Sequence, residues 1–168
     1  GAANLTGNTL ANVLYAGVGN NVLDGSTGTD TVSYAYGVSG TAGVTVSLAL
    51  AGAQATGGSG SDTLINIENL TGSAYADNLT GNSLANVLDG GAGSDTMTGG
   101  DGSDTYYIRD VGDIVSETNA TASIGGTDTV YSYLSSYTLG TNVENGRIVS
   151  TGAANLTGNT LANVLYAG

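Results

Sequence analysis

The sequence predicts an all-β fold, a parallel β-roll or β-helix solenoid with about 18 residues in each coil. Three observations predict it. A block of nine residues with the pattern G-G-x-G-x-D-x-U-x recurs along the chain, where U is a large apolar residue. Glycine occurs 29 times in 168 residues, and hydrophobic residues still make up 40% of the chain. Stacked short repeats of this kind bury a core that no single repeat could form alone.

The nine-residue blocks occupy residues 7–33, 57–65, 72–107 and 158–166. Glycines at positions one, two and four permit positive φ angles and close backbone approach, so the first six residues can form a tight loop. Positions seven to nine form a very short strand, and its central U side chain points into the core because side chains alternate along a strand. The U position is filled by Leu14, Leu23, Val32, Leu64, Leu79, Leu88, Met97 and Tyr106.

Two consecutive blocks make one coil, with their loops on opposite sides of the solenoid. Neighbouring coils of a sheet lie about 4.8 Å apart. Each loop is therefore expected to stack on the loop two blocks further along the chain.

Two inserts, 34–56 and 108–148, interrupt the blocks. Val44, Val46, Leu48 and Leu50 alternate with smaller or polar residues, which is typical of a half-buried strand. Residues 129–139 are rich in β-forming residues in the same way. We expect both inserts to form longer coil strands that widen the roll.

A much longer repeat encloses the short one. Residues 1–17, GAANLTGNTLANVLYAG, are identical to residues 152–168. We therefore expect residues 1–168 to form a single solenoid segment, made of a 151-residue tandem unit plus the first 17 residues of the next unit. With about eight coils, one unit would be roughly 40 Å long.

The composition excludes several functional classes. The chain has fourteen acidic and two basic side chains, a formal net charge of −12, and no cysteine or histidine. Disulfides, thiolate or imidazole metal sites and histidine-activated nucleophiles are thus excluded. We expect no nucleic-acid partner, because two arginines cannot neutralise a phosphate backbone, and no membrane span, because no apolar run reaches about 18 residues. So many carboxylates favour a hard cation, and calcium takes its ligands from carboxylates, carbonyls and water.

The segment GGAGSDTMTGGDGSDTYYI, residues 90–108, resembles the hemolysin-type calcium-binding repeat family, called RTX. The segments 43–73 and 125–146 are similar to the larger modules of that family. The resemblance implies a parallel β-roll that holds calcium ions between stacked loops. It also implies secretion to the bacterial cell surface or medium, usually by a type I machine that exports unfolded chain.

The family's sites join the loop of one block to the loop two blocks on, and the resemblance carries this rule to the present chain. It pairs Asp77 with Asp95 on one side, and Asn86 with Asp104 on the other. It also pairs Asn12 with Asp30. Asp62 belongs to a complete block that has no aligned neighbour, so its partner stays open. Glycines that shape the loops and offer carbonyl ligands are Gly90, Gly91, Gly93, Gly99, Gly100 and Gly102.

Several loops depart from the pattern. Asn12 and Asn86 replace the aspartate with an uncharged ligand, and Leu10, Leu84 and Leu161 replace the fourth-position glycine. The alternative for these loops is a structural coil without metal.

Further carboxylates follow the last complete block. Asp113 falls nine residues after Asp104, and we consider ligation by Asp110 or Asp113 beside the alternative of solvated side chains. For Asp128 we favour a cap on the turn before a strand. Glu68 and Glu144 lie in matched NIEN and NVEN contexts, but two carboxylates far apart in a repeat are no acid–base pair.

These features favour a non-enzymatic, calcium-binding structural repeat of an extracellular fibre, adhesin stalk or surface-layer-like array. Its expected partners are calcium ions and adjacent copies of the same repeat. The alternative is a calcium-dependent carboxy-terminal folding and secretion module of a secreted enzyme or toxin. A ligand-binding solenoid for ice or polysaccharide is less favoured, because the outward positions vary from block to block.

Overall fold

Short strands separated by tight loops make up the regular structure of the chain. A computed structural model describes residues 1–119 and 124–168, and in these ranges every regular element is a strand. The strands in chain order are β1 (Asn4–Thr6), β2 (Val13–Tyr15), β3 (Val22–Asp24), β4 (Thr31–Ser33), β5 (Thr45–Ser47), β6 (Ala53–Ala55), β7 (Ser61–Ile65), β8 (Asn69–Thr71), β9 (Asn78–Thr80), β10 (Val87–Asp89), β11 (Thr96–Thr98), β12 (Thr105–Ile108), β13 (Ile114–Ser116), β14 (Thr129–Ser132), β15 (Ser136–Thr138), β16 (Asn145–Ile148), β17 (Asn155–Thr157) and β18 (Val164–Tyr166).

One side of the solenoid is a single eight-stranded parallel sheet, which we call the long wall. Its strand order is β2-β4-β8-β10-β12-β14-β16-β18. All neighbouring strands of this sheet are parallel, and each pairs with a strand of the next coil, so the strands of the long wall all run in the same direction. The predicted all-β parallel roll is confirmed.

The opposite wall is divided into three sheets. They have the orders β1-β3-β7-β6, β5-β9-β11-β13 and β15-β17. All pairs in them are parallel except β6 with β7, which is antiparallel.

The register places U residues above one another in the core. Leu70 lies beside Leu88 and Leu88 beside Tyr106 in the long wall, while Met97 lies between Leu79 and Val115 in the opposite wall. All of these side chains are buried. Burial of one such side chain stabilises the fold by about 1.5–3 kcal/mol, so the stacked U residues contribute substantially to the apolar core.

We expected the insert 34–56 to form longer coil strands. This is wrong, because β5 and β6 have three residues each. Instead β5 starts a new stack beneath β9, and β6 folds back along β7. The strands before the insert pair directly with strands after it, so Val32 lies beside Leu70 and Leu23 beside Leu64.

No helix long and apolar enough to cross a membrane occurs in residues 1–119 and 124–168.

Candidate calcium-binding loops

The loop residues that directly precede the strands of the long wall form a continuous column. We call it the long-wall column, and it consists of Asn12, Asp30, Glu68, Asn86, Asp104, Asp128, Glu144 and Asn163. Asp30 Oδ1 accepts the backbone N–H of Asn12 at 2.7 Å, one coil earlier. Asp104 Oδ1 accepts that of Asn86 at 2.8 Å. The sixth-position side chain of one coil thus ties down the loop of the coil before it.

A similar arrangement holds on the other side, in an opposite-wall column that has two separate parts: Asn21 with Asp62 in one sheet, and Asp77, Asp95 and Asp113 in another. Asp95 Oδ1 accepts the backbone N–H of Asp77 at 2.9 Å, and Asp113 Oδ1 accepts that of Asp95 at 3.1 Å. The structure therefore brings Asp77 and Asp95 together, as it does Asn12 with Asp30 and Asn86 with Asp104.

Asp62, whose partner the sequence left open, lies against Asn21. Its Oδ1 accepts both the backbone N–H and the Nδ2–H of Asn21, 41 positions earlier in the chain. The pairing crosses the whole 34–56 insert, which is why counting nine-residue blocks could not find it.

Three of the predicted aspartates keep one carboxylate oxygen free. Asp30, Asp95 and Asp104 use Oδ1 in the columns, while the Oδ2 atom of each is buried and has no hydrogen-bond partner among residues 1–119 and 124–168. A buried carboxylate oxygen without a partner is costly, and a bound cation would satisfy it. Carboxylate oxygens are ligands that calcium takes. The residues present therefore fit a calcium ion.

Asp77 is bonded more completely. Its Oδ1 accepts from the backbone N–H of Val44 at 2.6 Å and from Ser73 Oγ–H at 2.9 Å, and its Oδ2 accepts from the backbone N–H of Ser73. Both carboxylate oxygens of Asp77 already accept hydrogen bonds, so Asp77 is less available as a calcium ligand than Asp95 beside it.

The glycines of the best loops serve two different purposes. Gly91, Gly93, Gly100 and Gly102 adopt positive φ angles of 92°, 129°, 108° and 106°, which L side chains rarely adopt. At Gly90 and Gly99 the reason is space, because a Cβ atom there would collide with the Oδ2 atoms of Asp95 and Asp104 respectively.

Burial changes the protonation of these carboxyls. Desolvation raises the pKa of Asp95 to about 6, opposed by the hydrogen bond from the backbone of Asp77. Desolvation likewise raises the pKa of Asp104 to about 6, opposed by the bond from Asn86. Without an ion, these loops hold charged carboxylates only at an energetic cost near neutral pH.

The asparagine loops are closed by their own side chains. Asn12 Oδ1 accepts the backbone N–H of Asn8 at 2.7 Å, and Asn86 Oδ1 accepts that of Asn82 at 2.8 Å. The Asn82 side chain in turn accepts the N–H of Leu84, at the position of the missing glycine. The only side-chain oxygen of Asn12 and of Asn86 is already engaged, so their ligand role stays a prediction with less support than that of Asp95.

Asp110 and Asp113 both contact the loop of the preceding coil. Asp113 Oδ1 accepts the N–H of Asp95 in that coil, while its Oδ2 accepts from the backbone N–H groups of Arg109 and Asp110 in its own loop, each at 2.9 Å. Asp110 Oδ2 accepts the N–H of Gly93 at 3.1 Å. Ligation by either carboxylate also stays a prediction.

Sequence reasoning missed three carboxylates of the long-wall column. Glu68 and Glu144 fill sixth positions, where their Oε2 atoms accept the backbone N–H groups of Asp30 and Asp128. The favoured interpretation of Asp128 as a turn cap is wrong, because its Oδ1 accepts the N–H of Asp104, one coil earlier, at 2.8 Å. The usable signal was the matched NIEN and NVEN motifs, each of which runs directly into a strand.

Glu117 was missed entirely. It follows β13, whose Ser116 is in register with Thr98, so it occupies the place of Gly99 one coil further on. No pattern in the nine-residue blocks predicts a carboxylate at a glycine position.

Comparison with known proteins agrees with this geometry. The RTX calcium-binding nonapeptide repeat, in four copies, matches residues 4–34 and 68–107. No curated protein matches the chain. The matched segments contain Asp30, Asp95 and Asp104, the three aspartates with a free buried oxygen. The chain therefore contains RTX nonapeptide repeats, which bind Ca²⁺.

Proposed function

We propose that the chain is one unit of a secreted, extracellular rod, the repeating part of a fibre, adhesin stalk or surface-layer-like array, which folds on binding calcium after export. The observation that carries this proposal concerns the edges of the walls. β2 and β18 are the two edge strands of the same long wall and have the same sequence, Val-Leu-Tyr. β1 and β17 share the sequence Asn-Leu-Thr and lie in the opposite wall.

Matched edges allow the unit to continue without a break. If β18 is treated as the β2 of a following unit, that unit extends the long wall in the same register. From β2 to β18 the long wall advances by seven strand spacings, which gives about 34 Å at about 4.8 Å each. The estimate of eight coils and 40 Å from the sequence is therefore wrong.

A following unit would give two equivalent leucines the same environment. Leu14 and Leu165 occupy identical sequence contexts, but Leu14 is 5% exposed and Leu165 is 42% exposed. Leu14 is covered by the coil of β4, which follows it. A following unit would supply the same cover to Leu165 and bury its apolar surface.

Calcium would act as the folding trigger in this proposal. A net charge of −12 with two arginines opposes compaction. Cytosolic calcium is too dilute to fill sites of the millimolar class that extracellular modules use. Export of an unfolded chain followed by folding outside the cell is consistent with this difference. We propose no catalytic role for the chain.

Electron microscopy of filaments built from consecutive copies of the 151-residue unit tests the proposal. We expect straight rods with an axial repeat near 34 Å that disappear when calcium is chelated. Compact units joined by flexible links would contradict it. A parent gene with one unit beside a hydrolase or toxin domain would instead favour the folding and secretion module.

A further inference from the structure

We propose that Asp104, Glu117 and Asp128 form a buried three-carboxylate site that binds one calcium ion or another hard divalent cation. The site lies where the regular repeats give way to the 108–148 insert. This inference uses the geometry of a single unit and is independent of the proposed rod.

The three carboxylates are close enough to share one ion. One oxygen from each lies within 4.8 Å of the other two. Calcium binds oxygen at about 2.3–2.6 Å, so two ligands of one ion can be at most about 5 Å apart. Asp104 and Asp128 are 1% exposed and Glu117 is 5% exposed, so water solvates their charges poorly.

All three carboxylates accept a hydrogen bond, and two of them, Asp104 and Glu117, also have a buried oxygen without a partner among the described residues. Asp104 Oδ1 accepts the N–H of Asn86, and Asp128 Oδ1 accepts the N–H of Asp104. The Tyr106 hydroxyl donates to Glu117 Oε1. Asp104 Oδ2 and Glu117 Oε2 are buried without a hydrogen-bond partner among the described residues. The hydrogen bonds thus fix the orientation of the carboxylates and leave unpaired oxygens for an ion.

The chain supplies no side-chain cation to this cluster. Its only two basic side chains are arginines. Arg109 pairs with Asp89 at 2.7 Å, and Arg147 is exposed on β16. Three buried carboxylates without a basic partner are expected to neutralise by binding a cation or by taking up protons. The all-oxygen donor set favours a hard cation such as calcium.

Glu117 makes this site different from the loops elsewhere. At Gly99, the equivalent position one coil earlier, even a Cβ atom would collide with Asp104 Oδ2 and the Tyr106 hydroxyl. One coil further on, the chain places a carboxylate at the same position. The site therefore has three carboxylates, and the nonapeptide pattern supplies only Asp104.

Counting bound calcium on the single 168-residue chain tests the site. Glu117→Gln removes one charge from the cluster and is expected to lower the number of ions per chain by one, measured by equilibrium dialysis or native mass spectrometry in saturating calcium. Asp24→Asn is the control, because Asp24 lies outside both columns and its Oδ1 contacts Ser26 and Asn66. It is expected to keep the wild-type count. An unchanged count in Glu117→Gln would overturn the proposal.

A second variant keeps the test decisive if Glu117→Gln fails to fold. Terbium replaces calcium at oxygen sites and emits when a nearby tyrosine transfers energy to it. Tyr106→Phe removes the tyrosine whose hydroxyl bonds to Glu117 and is expected to keep the ion count while losing part of the sensitised emission. Emission equal to that of the wild type would show that no ion lies beside Tyr106. Both readouts use one unit, so they do not depend on whether units form rods.

Discussion

Asp95 Oδ1 accepts the backbone N–H of Asp77 at 2.9 Å, while Asp95 Oδ2, on the same carboxyl group, is buried and has no hydrogen-bond partner in the described part of the chain. One aspartate thus holds the loop of the preceding coil and keeps a second oxygen free for an ion. Asp30 and Asp104 do the same on the other side of the solenoid. Fold and calcium binding therefore depend on the same side chains.

Substitutions at Asp95 separate the two roles. Asp95→Asn keeps an oxygen for the N–H of Asp77 but removes the charge, whereas Asp95→Ala removes both. We expect both variants to need more calcium for folding. In saturating calcium, the alanine variant should be less stable than the asparagine variant by about 1–3 kcal/mol, the cost of a buried donor left unpaired. Calcium titrations by circular dichroism and denaturant melts measure the two effects.

Asp24→Asn is the control for these variants, since Asp24 lies outside both columns and its Oδ1 contacts Ser26 and Asn66. If Asp24→Asn and Asp95→Asn were half folded at the same calcium concentration, the Asp95 carboxylate would not be a calcium ligand.

We predict that the glycine at the first position of a block is required because a side chain there would displace the aspartate carboxylate of the same loop. In Gly90→Ala the new Cβ atom would meet Asp95 Oδ2, so the carboxylate must move and the site is expected to weaken. Gly17→Ala is the matched control, because its Cβ would have no heavy atom within 4 Å. We expect the calcium concentration at which half of the chain is folded to rise in Gly90→Ala and to stay nearly unchanged in Gly17→Ala. Two equal midpoints would refute the steric explanation.

The pH dependence of stability is predicted to reverse with calcium. In the calcium-free fold, burial raises the pKa of Asp95 and Asp104 from 3.8 to about 6. The folded chain then binds more protons than the unfolded chain between pH 4 and 6, so its stability falls as the pH rises through that window. With calcium present, protons compete for the same oxygens, and the affinity for calcium should rise with pH. Thermal melts with chelator at pH 4.5 and 7.5, and calcium titrations at pH 5.5 and 7.5, test both directions. Greater stability of the chelated chain at pH 7.5 would contradict the prediction.

The two equivalent leucines give a test of end exposure. Leu14→Ala is expected to destabilise the calcium-bound chain by about 2–5 kcal/mol, as a buried leucine does. Leu165→Ala should cost clearly less in the same chain, because Leu165 is 42% exposed. In two consecutive units the cost at the Leu165 position should rise to that of Leu14. If it does not rise, the coils of neighbouring units do not stack.

The nine-residue period was enough to predict the parallel fold and its core, because each block specifies its own loop and strand. Leu88 and Tyr106 follow the period, and the register places them side by side. The period failed where the register skips residues. It could not align Asp62 with Asn21, since the chain between them leaves the regular coil. It also could not predict Glu117, because a carboxylate at a glycine position becomes visible only when neighbouring coils are aligned.

The most direct test of the account is the far-ultraviolet circular dichroism of the 168-residue chain at pH 7.5, first in excess chelator and then in millimolar calcium. The free carboxylate oxygens in the loops and the net charge of −12 predict a largely unfolded chain in chelator. They predict a cooperative gain of β-structure when calcium is added. A full β-sheet spectrum in chelator, unchanged by calcium, would contradict the account.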